Sequence, residues 1–305
     1  MSGACAPRRP DHRASAAVDA PSLVVTVLLD AWRALLLAGR FLTRWPFPAA
    51  VDAPPTLYGR AAPFYPLIGL LLGAALAGVA LLGRALGLAE GAGIAMLALL
   101  VLLVWVWSTG ALHLDGLADC ADAWVGGLGS RERTFAIMKD PHIGTMGVVV
   151  LVLVLLGKLV ALAVVLDAGA AGEGAGAAAG IGVLLGAPLL ARAQILWLAL
   201  TTPPARPQGL GAALGAHLPR RAAWLAAGLG TGAALVGIGS TGLAAAAMAA
   251  VAAGWVLLGW RRSLMRRLGG YTGDGVGTLI ELTETLVLVA VGLALAAGAD
   301  APSPP

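Results

Sequence analysis

Seven stretches of this chain run for about twenty residues with almost no charged side chain: residues 63–83, 91–112, 143–166, 177–200, 222–238, 242–260 and 277–297. A helix rising ~1.5 Å per residue needs that length to cross a bilayer core of ~30 Å. The apolar residues are continuous, not alternating, so the pattern predicts helices and not the strands of a barrel. The expected fold is all-α, a polytopic membrane bundle of about seven transmembrane helices. A different pattern precedes them. Residues 23–45 are apolar but carry Asp30, Arg33, Arg40 and Arg44, spaced three, seven and four apart, which places the charges on one helical face. That predicts an N-terminal amphipathic helix lying in the membrane interface.

Composition agrees with a membrane protein. Of 305 residues 59% are hydrophobic and 12% charged, with a mean hydropathy of +0.88, which excludes an ordinary soluble domain. No nucleic-acid partner is expected. Cys5 and Cys120 are too few for a disulfide framework or a thiolate metal site, and Cys120 reads as a small filler residue. Residues 1–22 are rich in Pro, Ala and Arg and lack the apolar core and cleavage site of a signal peptide, so they read as a disordered cytoplasmic tail. Residues 23–298 then form a single membrane-embedded catalytic domain, and residues 299–305 a short periplasmic tail.

Charge sets the expected orientation. With the N-terminal tail inside, seven crossings leave segments 114–142, 201–221 and 261–276 on the cytoplasmic side. Together with the tail and the interfacial region they hold 17 of the 20 Lys and Arg residues. Arg84 alone lies outside, and Lys158 and Arg192 fall within spans. The positive-inside rule therefore predicts a site facing the cytoplasm.

The most informative polar segment follows the second span, where Asp115, Asp119 and Asp122 recur at spacings of four and three on one helical face. Three adjacent carboxylates repel one another, which calls for a divalent cation, and hard oxygen ligands in this number suit Mg²⁺. The bland alternative is an acidic helix start with Asp115 as its cap, although a cap accounts for one acid only. His113, two residues upstream, reads either as a proton-transfer group or as an interfacial hydrogen-bonding residue. Next comes an amphipathic helix whose Arg131, Arg133 and Lys139 can hold phosphates, then a turn bearing Asp140 and His142. For the two arginines, plain membrane anchoring competes with that role. In the last loop, Gly269-Gly-Tyr-Thr-Gly-Asp274 precedes a helix and resembles a phosphate cradle at Gly273 and Asp274. Behind it Glu281 and Glu284 sit in an apolar helix, as further metal or proton ligands or as partners of Lys158 and Arg192 across the bundle.

His113-Leu-Asp-Gly-Leu-Ala-Asp-Cys-Ala-Asp122, Ile137-Met-Lys-Asp140, Ile143-Gly-Thr-Met-Gly147, Ala205-Arg-Pro-Gln-Gly-Leu-Gly211 and the Gly269–Asp274 turn together resemble the cobalamin synthase family, the adenosylcobinamide-GDP ribazoletransferases. Phe41-Leu-Thr-Arg-Trp-Pro-Phe47 and Phe64-Tyr-Pro-Leu-Ile-Gly69 also fit. The likeness covers nearly the whole chain after about residue 30. Pro141-His142 departs from the expected small polar residue and Arg, and the Pro-rich tail is extra.

This resemblance implies a Mg²⁺-dependent transferase of the bacterial inner membrane. It would join adenosylcobinamide-GDP to α-ribazole or its 5′-phosphate and release GMP, a late step of cobalamin biosynthesis. Asp115, Asp119 and Asp122, with Glu281 and Glu284, would hold the metal. Arg131, Arg133, Lys139, Arg206, Gly273 and Asp274 would hold substrate phosphates. Asp122, His113 and Asp140, in that order, are candidates for the base. The lipid bilayer and other enzymes of the pathway are the implied partners. A CDP-alcohol phosphotransferase does similar chemistry, but Asp119 stands where its motif has Arg, and its later Gly-x3-Asp-x3-Asp element is missing. An ion-coupled transporter using Lys158, Arg192, Glu281 and Glu284 would leave the aspartates unexplained.

Overall fold

The computed structural model describes residues 23–48, 53–88, 90–168 and 175–299. The expected tail at residues 1–22 and nearly all of the one at 299–305 lie outside them. Twelve α-helices follow one another among the described residues: α1 Leu23–Leu42, α2 Pro55–Ala61, α3 Tyr65–Ala85, α4 Ala92–Thr109, α5 Leu112–Gly126, α6 Arg131–Ile137, α7 Thr145–Ala168, α8 Ala175–Thr201, α9 Leu210–His217, α10 Arg220–Gly239, α11 Leu243–Leu268 and α12 Gly273–Ala299. No strand occurs among the described residues, only one isolated bridge between Pro204 and Tyr271. Among the described residues seven helices are long and apolar enough to cross a membrane: α3 with the short α2 before it, α4, α7, α8, α10, α11 and α12. This is the expected multi-pass bundle.

α8 is the most buried span and packs against α3, α7, α10, α11 and α12. Small residues allow this close approach. A β-carbon at Gly73 of α3 would lie 2.7 Å from the Leu184 carbonyl of α8, and one at Gly186 of α8 would lie 2.9 Å from the Ala234 carbonyl of α10. Lipid chains are as apolar as the helices, so backbone proximity of this kind is what drives association in the bilayer.

Within the bundle, Lys158 of α7 donates to Glu281 and Glu284 of α12, at 2.6 Å each, and Arg192 of α8 also pairs with Glu284. All four side chains are buried, and Lys158 also sits 4.9 Å from the Trp105 ring centroid of α4. Two cations and two anions balance, so the network ties four helices together without a net buried charge.

α1 is docked more firmly than a free interfacial helix. Ala34, Ala38 and Leu42, one turn apart, are buried, Phe41 stacks on Tyr65 at 5.8 Å, and Asp30 pairs with Arg60 of α2 at 2.9 Å. Its opposite face exposes Val25, Leu29 and Trp32.

Two expected C-terminal span ends shift by more than two residues. The span expected to reach residue 112 ends at Thr109, because Gly110 (φ 60°) and Ala111 (φ 57°) both take the left-handed conformation and turn the chain into α5. Glycine adopts that state freely, whereas Ala111 holds it at a cost of ~1–2 kcal/mol. The span expected to end at residue 260 continues to Leu268, where Gly269 (φ 70°) caps α11.

Candidate active site

The bundle alternates direction, so the C-terminal ends of α4, α8 and α11 and the N-terminal ends of α7 and α12 share one end of the molecule. α5 lies across that end, against α7 and α12. Two glycines bring α5 onto α12: a β-carbon at Gly116 would be 2.9 Å from the Asp274 Cα, and one at Gly277 would be 3.2 Å from the His113 Cα. Thr278 then donates its hydroxyl to the Gly116 carbonyl at 3.1 Å. Thr272 caps α12 by accepting the Gly275 N–H at 3.0 Å, which leaves the Asp274 carboxylate in the first turn free to face α5.

Four aspartates lie near enough here for their charges to act on one another. Asp115 is exposed, and Asp119, Asp122 and Asp274 are half-buried. Burial, then the charges of Asp115, Asp274 and Asp122, push the Asp119 carboxyl up to about 6. Mutual repulsion of this kind is relieved by a cation. Asp122 has a second engagement, because its two oxygens accept the N–H groups of Gly144 at 2.7 Å and Gly147 at 2.9 Å. It therefore caps the N-terminus of α7 from a neighbouring helix.

Two cavities share Gly273 and Asp274 as a common wall. The larger, about 350 Å³, is lined by Arg40, Thr43, Arg44, Thr109, His113 and Asp115. The smaller, about 220 Å³, is lined by Arg206, Gln208, Gly209, Gly211 and Thr272. An apolar slot of about 50 Å³, lined by Phe41, Tyr58, Tyr65 and Tyr271, adjoins both. The smaller cavity is built by main-chain pairing between distant loops: Ala205 N–H donates to the Tyr271 carbonyl at 2.8 Å and Tyr271 N–H to the Pro203 carbonyl at 2.9 Å. The Tyr271 hydroxyl donates to the Gly211 carbonyl at 2.9 Å.

The other candidates from the sequence are distributed differently. Glu281 and Glu284 do not join the aspartates. The ion network takes up their carboxylates, so the expectation that they ligate metal gives way to the alternative, pairing with Lys158 and Arg192. Arg131 donates to the Ala205 carbonyl at 2.9 Å and stacks on Phe135, as Arg206 does from 4.1 Å. It thereby props α6 against the Arg206 loop. Arg133 and Lys139 are exposed and, like Arg131, line neither cavity. Asp140 accepts the His142 N–H and pairs with its ring at 2.7 Å, which holds its carboxyl below the usual range in an exposed turn. His113 is buried, and burial, reinforced by Arg192, pushes its imidazole down to about 3, so it is neutral and weakly basic. Arg40, Thr43, Arg44 and Gln208 line the cavities without having been singled out from the sequence as site residues. The signal for two of them was Arg40 and Arg44 one turn apart, the first adjoining the Phe41–Phe47 motif and the second within it.

The donor set suits a hard divalent cation, since Asp115, Asp119 and Asp274 offer only carboxylate oxygens. No three acidic, histidine or cysteine side chains converge as a ready ligand set among the described residues. Mg²⁺ requires no such cage, because it keeps waters and takes one or two carboxylates together with substrate phosphates.

Fold and site together define an integral membrane enzyme whose acidic pocket, flanked by arginines, opens at one end of a helix bundle. The chain belongs to the cobalamin-5-phosphate synthase family, whose profile matches residues 34–292. The adenosylcobinamide-GDP ribazoletransferase of Pseudomonas paraeruginosa is 48% identical over 264 residues, covering 87% of this chain and 99% of the relative. Those of Pseudomonas aeruginosa and Stutzerimonas stutzeri are also 48% identical over 264 residues, covering 87% of this chain and 99% and 98% of the relatives. No solved structure matches the chain.

Proposed function

We propose that this chain joins adenosylcobinamide-GDP to α-ribazole or its 5′-phosphate and releases GMP, with Mg²⁺ held at the aspartates. The observation that carries the reading is that the charges of Asp115 and Asp119 of α5 and Asp274 of α12 act on one another, beside one cavity lined by Arg40 and Arg44 and another lined by Arg206. The names of the relatives supply the substrates. Asp115, Asp119 and Asp274 would hold the ion, while Asp122 fixes α7. When bound, Mg²⁺ would neutralise diphosphate charge in the ground state and as it grows in the transition state.

The chain's own residues do the rest. Gly273, at the start of α12, lets backbone approach phosphate closely, and Arg206 adds a fixed positive charge beside Asp274. A ribazole hydroxyl attacks the phosphorus attached to cobinamide. The new O–P bond forms as the bridging P–O bond breaks, the electron pair departs on GMP, and a carboxylate of the cluster takes the hydroxyl proton. The excess of Lys and Arg at this end of the bundle supports a site facing the cytoplasm of an inner-membrane protein.

Purified protein in liposomes, given adenosylcobinamide-GDP, α-ribazole and Mg²⁺, should release GMP, and an Asp119→Asn variant should not. No GMP from the wild type across a range of lipids and divalent metals would overturn the reading.

A further inference from the structure

We infer that the larger cavity is the subsite of the departing nucleotide's phosphate, and that Arg40 and Arg44, at the end of α1, are the groups that hold it. The inference rests on the transfer reading above and adds a role for α1, which the sequence pattern presents only as an interfacial helix.

Docking of α1 on α2 and α3, through its buried alanines, the Phe41–Tyr65 stack and the Asp30–Arg60 pair, makes its last turn one wall of the cavity. Beyond the helix, the Arg44 N–H donates to the Ser108 carbonyl at 2.7 Å. The Arg44 side chain runs across Gly110, where its Cδ would lie only 3.0 Å from any β-carbon. The left-handed corner that turns α4 into α5 therefore also seats Arg44. Arg40 and Arg44 make no ion pair among the described residues, although Asp115 and Asp274 line the same cavity.

A cavity lined both by guanidinium groups and by carboxylates that would hold a cation matches an anion carried between them, as a diphosphate would be. An in-line displacement brings nucleophile and leaving group to opposite sides of phosphorus. The smaller cavity, across Asp274 with Arg206, leaves the acceptor a side of its own. As the P–O bond breaks, the charge that accumulates on GMP meets Arg40 and Arg44.

The test is GMP binding, by calorimetry, to the full chain in phosphatidylcholine nanodiscs with Mg²⁺, with inorganic pyrophosphate as a second probe. Arg40→Gln and Arg44→Gln should each weaken binding about tenfold, the loss expected for one charged hydrogen bond. Arg44→Lys should recover part of it, and Arg221→Gln, which removes an exposed charge elsewhere, should change it less than about twofold. Arg40 is exposed and outside the Gly110 corner, so its variant reads binding even where Arg44→Gln disturbs folding. Wild type that fails to bind GMP, or binds it no better than Arg40→Gln and Arg44→Gln, would overturn the inference. So would displacement of GMP by phosphatidylglycerol added to the nanodiscs, which would mark a lipid-headgroup site. Binding needs no turnover, so a chain that binds GMP through these arginines yet releases none from adenosylcobinamide-GDP would keep the subsite and lose only the reaction.

Discussion

Gly116 of α5 faces Asp274 of α12 so closely that a β-carbon on residue 116 would lie 2.9 Å from the Asp274 Cα. This contact sets the distance between the two helices that carry the acidic side chains. The Thr278 hydroxyl, reaching the Gly116 carbonyl from one turn along α12, fixes their register.

Gly116→Ala should therefore harm activity more than stability. The added methyl meets backbone and forces α5 away from α12, an overpacking cost of about 1–3 kcal/mol. A shift of ~1 Å in the carboxylates should lower GMP release about a hundredfold. Thermal unfolding in detergent measured beside the transfer assay separates the two effects, and a variant with normal turnover would show that the spacing is not critical.

Asp115 and Asp122 should behave oppositely although they share a helical face. Asp115 is exposed, so Asp115→Asn should leave stability within about 0.5 kcal/mol of wild type while removing activity. Asp122→Asn puts an amide donor where two N–H groups now seek acceptors, and should cost about 1–2 kcal/mol through loss of the α7 cap. Equal melting temperatures for the two variants would contradict the capping role.

Glu284 bridges Lys158 and Arg192 inside the bundle. Glu284→Gln should destabilise the protein by about 3–5 kcal/mol, because it leaves excess positive charge buried. Pairing it with Lys158→Met restores the balance and should recover much of the loss. Yield and unfolding temperature of the single and double variants form the cycle that checks this, and additive losses would argue against a coupled network.

Metal-free protein should lose stability as pH rises from 3.8 to about 6. Over that window folded Asp119 retains a proton that the unfolded chain has released, since folding pushes its carboxyl up from 3.8 to about 6. The Asp119 contribution is fully present below 3.8, is lost as pH passes about 6, and is level above. Unfolding followed against pH in a chelator should show this slope in wild type and a flatter profile in Asp119→Asn. Added Mg²⁺ should stabilise wild type most above pH 6, where the carboxylate is ionised.

The spans were legible because membrane partition sums hydrophobicity along a continuous stretch, so the seven spanning helices needed no knowledge of their neighbours. The acidic face of α5 was legible for the same local reason, since spacings of four and three decide which residues share a helical side. The end of α4 was less so. A lone Gly110 hints at a stop, but the left-handed Ala111 has no signature in its own residue type and is held by its surroundings. Arg131 reads as a phosphate holder by charge, whereas the fold spends it on the Ala205 carbonyl, a partner 74 residues away.

The amino-acid pattern by itself determined an all-helical membrane bundle, an amphipathic first helix, a basic end and an aspartate-bearing helix beside it. Each of these depends on side chains within a few turns of one another. Only the tertiary structure decided that Asp274 comes near enough to Asp119 for their charges to act on one another, that Asp122 caps α7, that Glu281 and Glu284 neutralise Lys158 and Arg192, and that Arg40 and Arg44 share a cavity with Asp115 and Asp274. Contacts such as Thr278 to Gly116, 162 residues apart, are chosen by how whole helices pack, and a charge in one segment does not specify which distant charge will face it. The electrostatic need of Asp115, Asp119 and Asp122 was present in one short stretch of chain, and the groups that answer it were assembled by the fold.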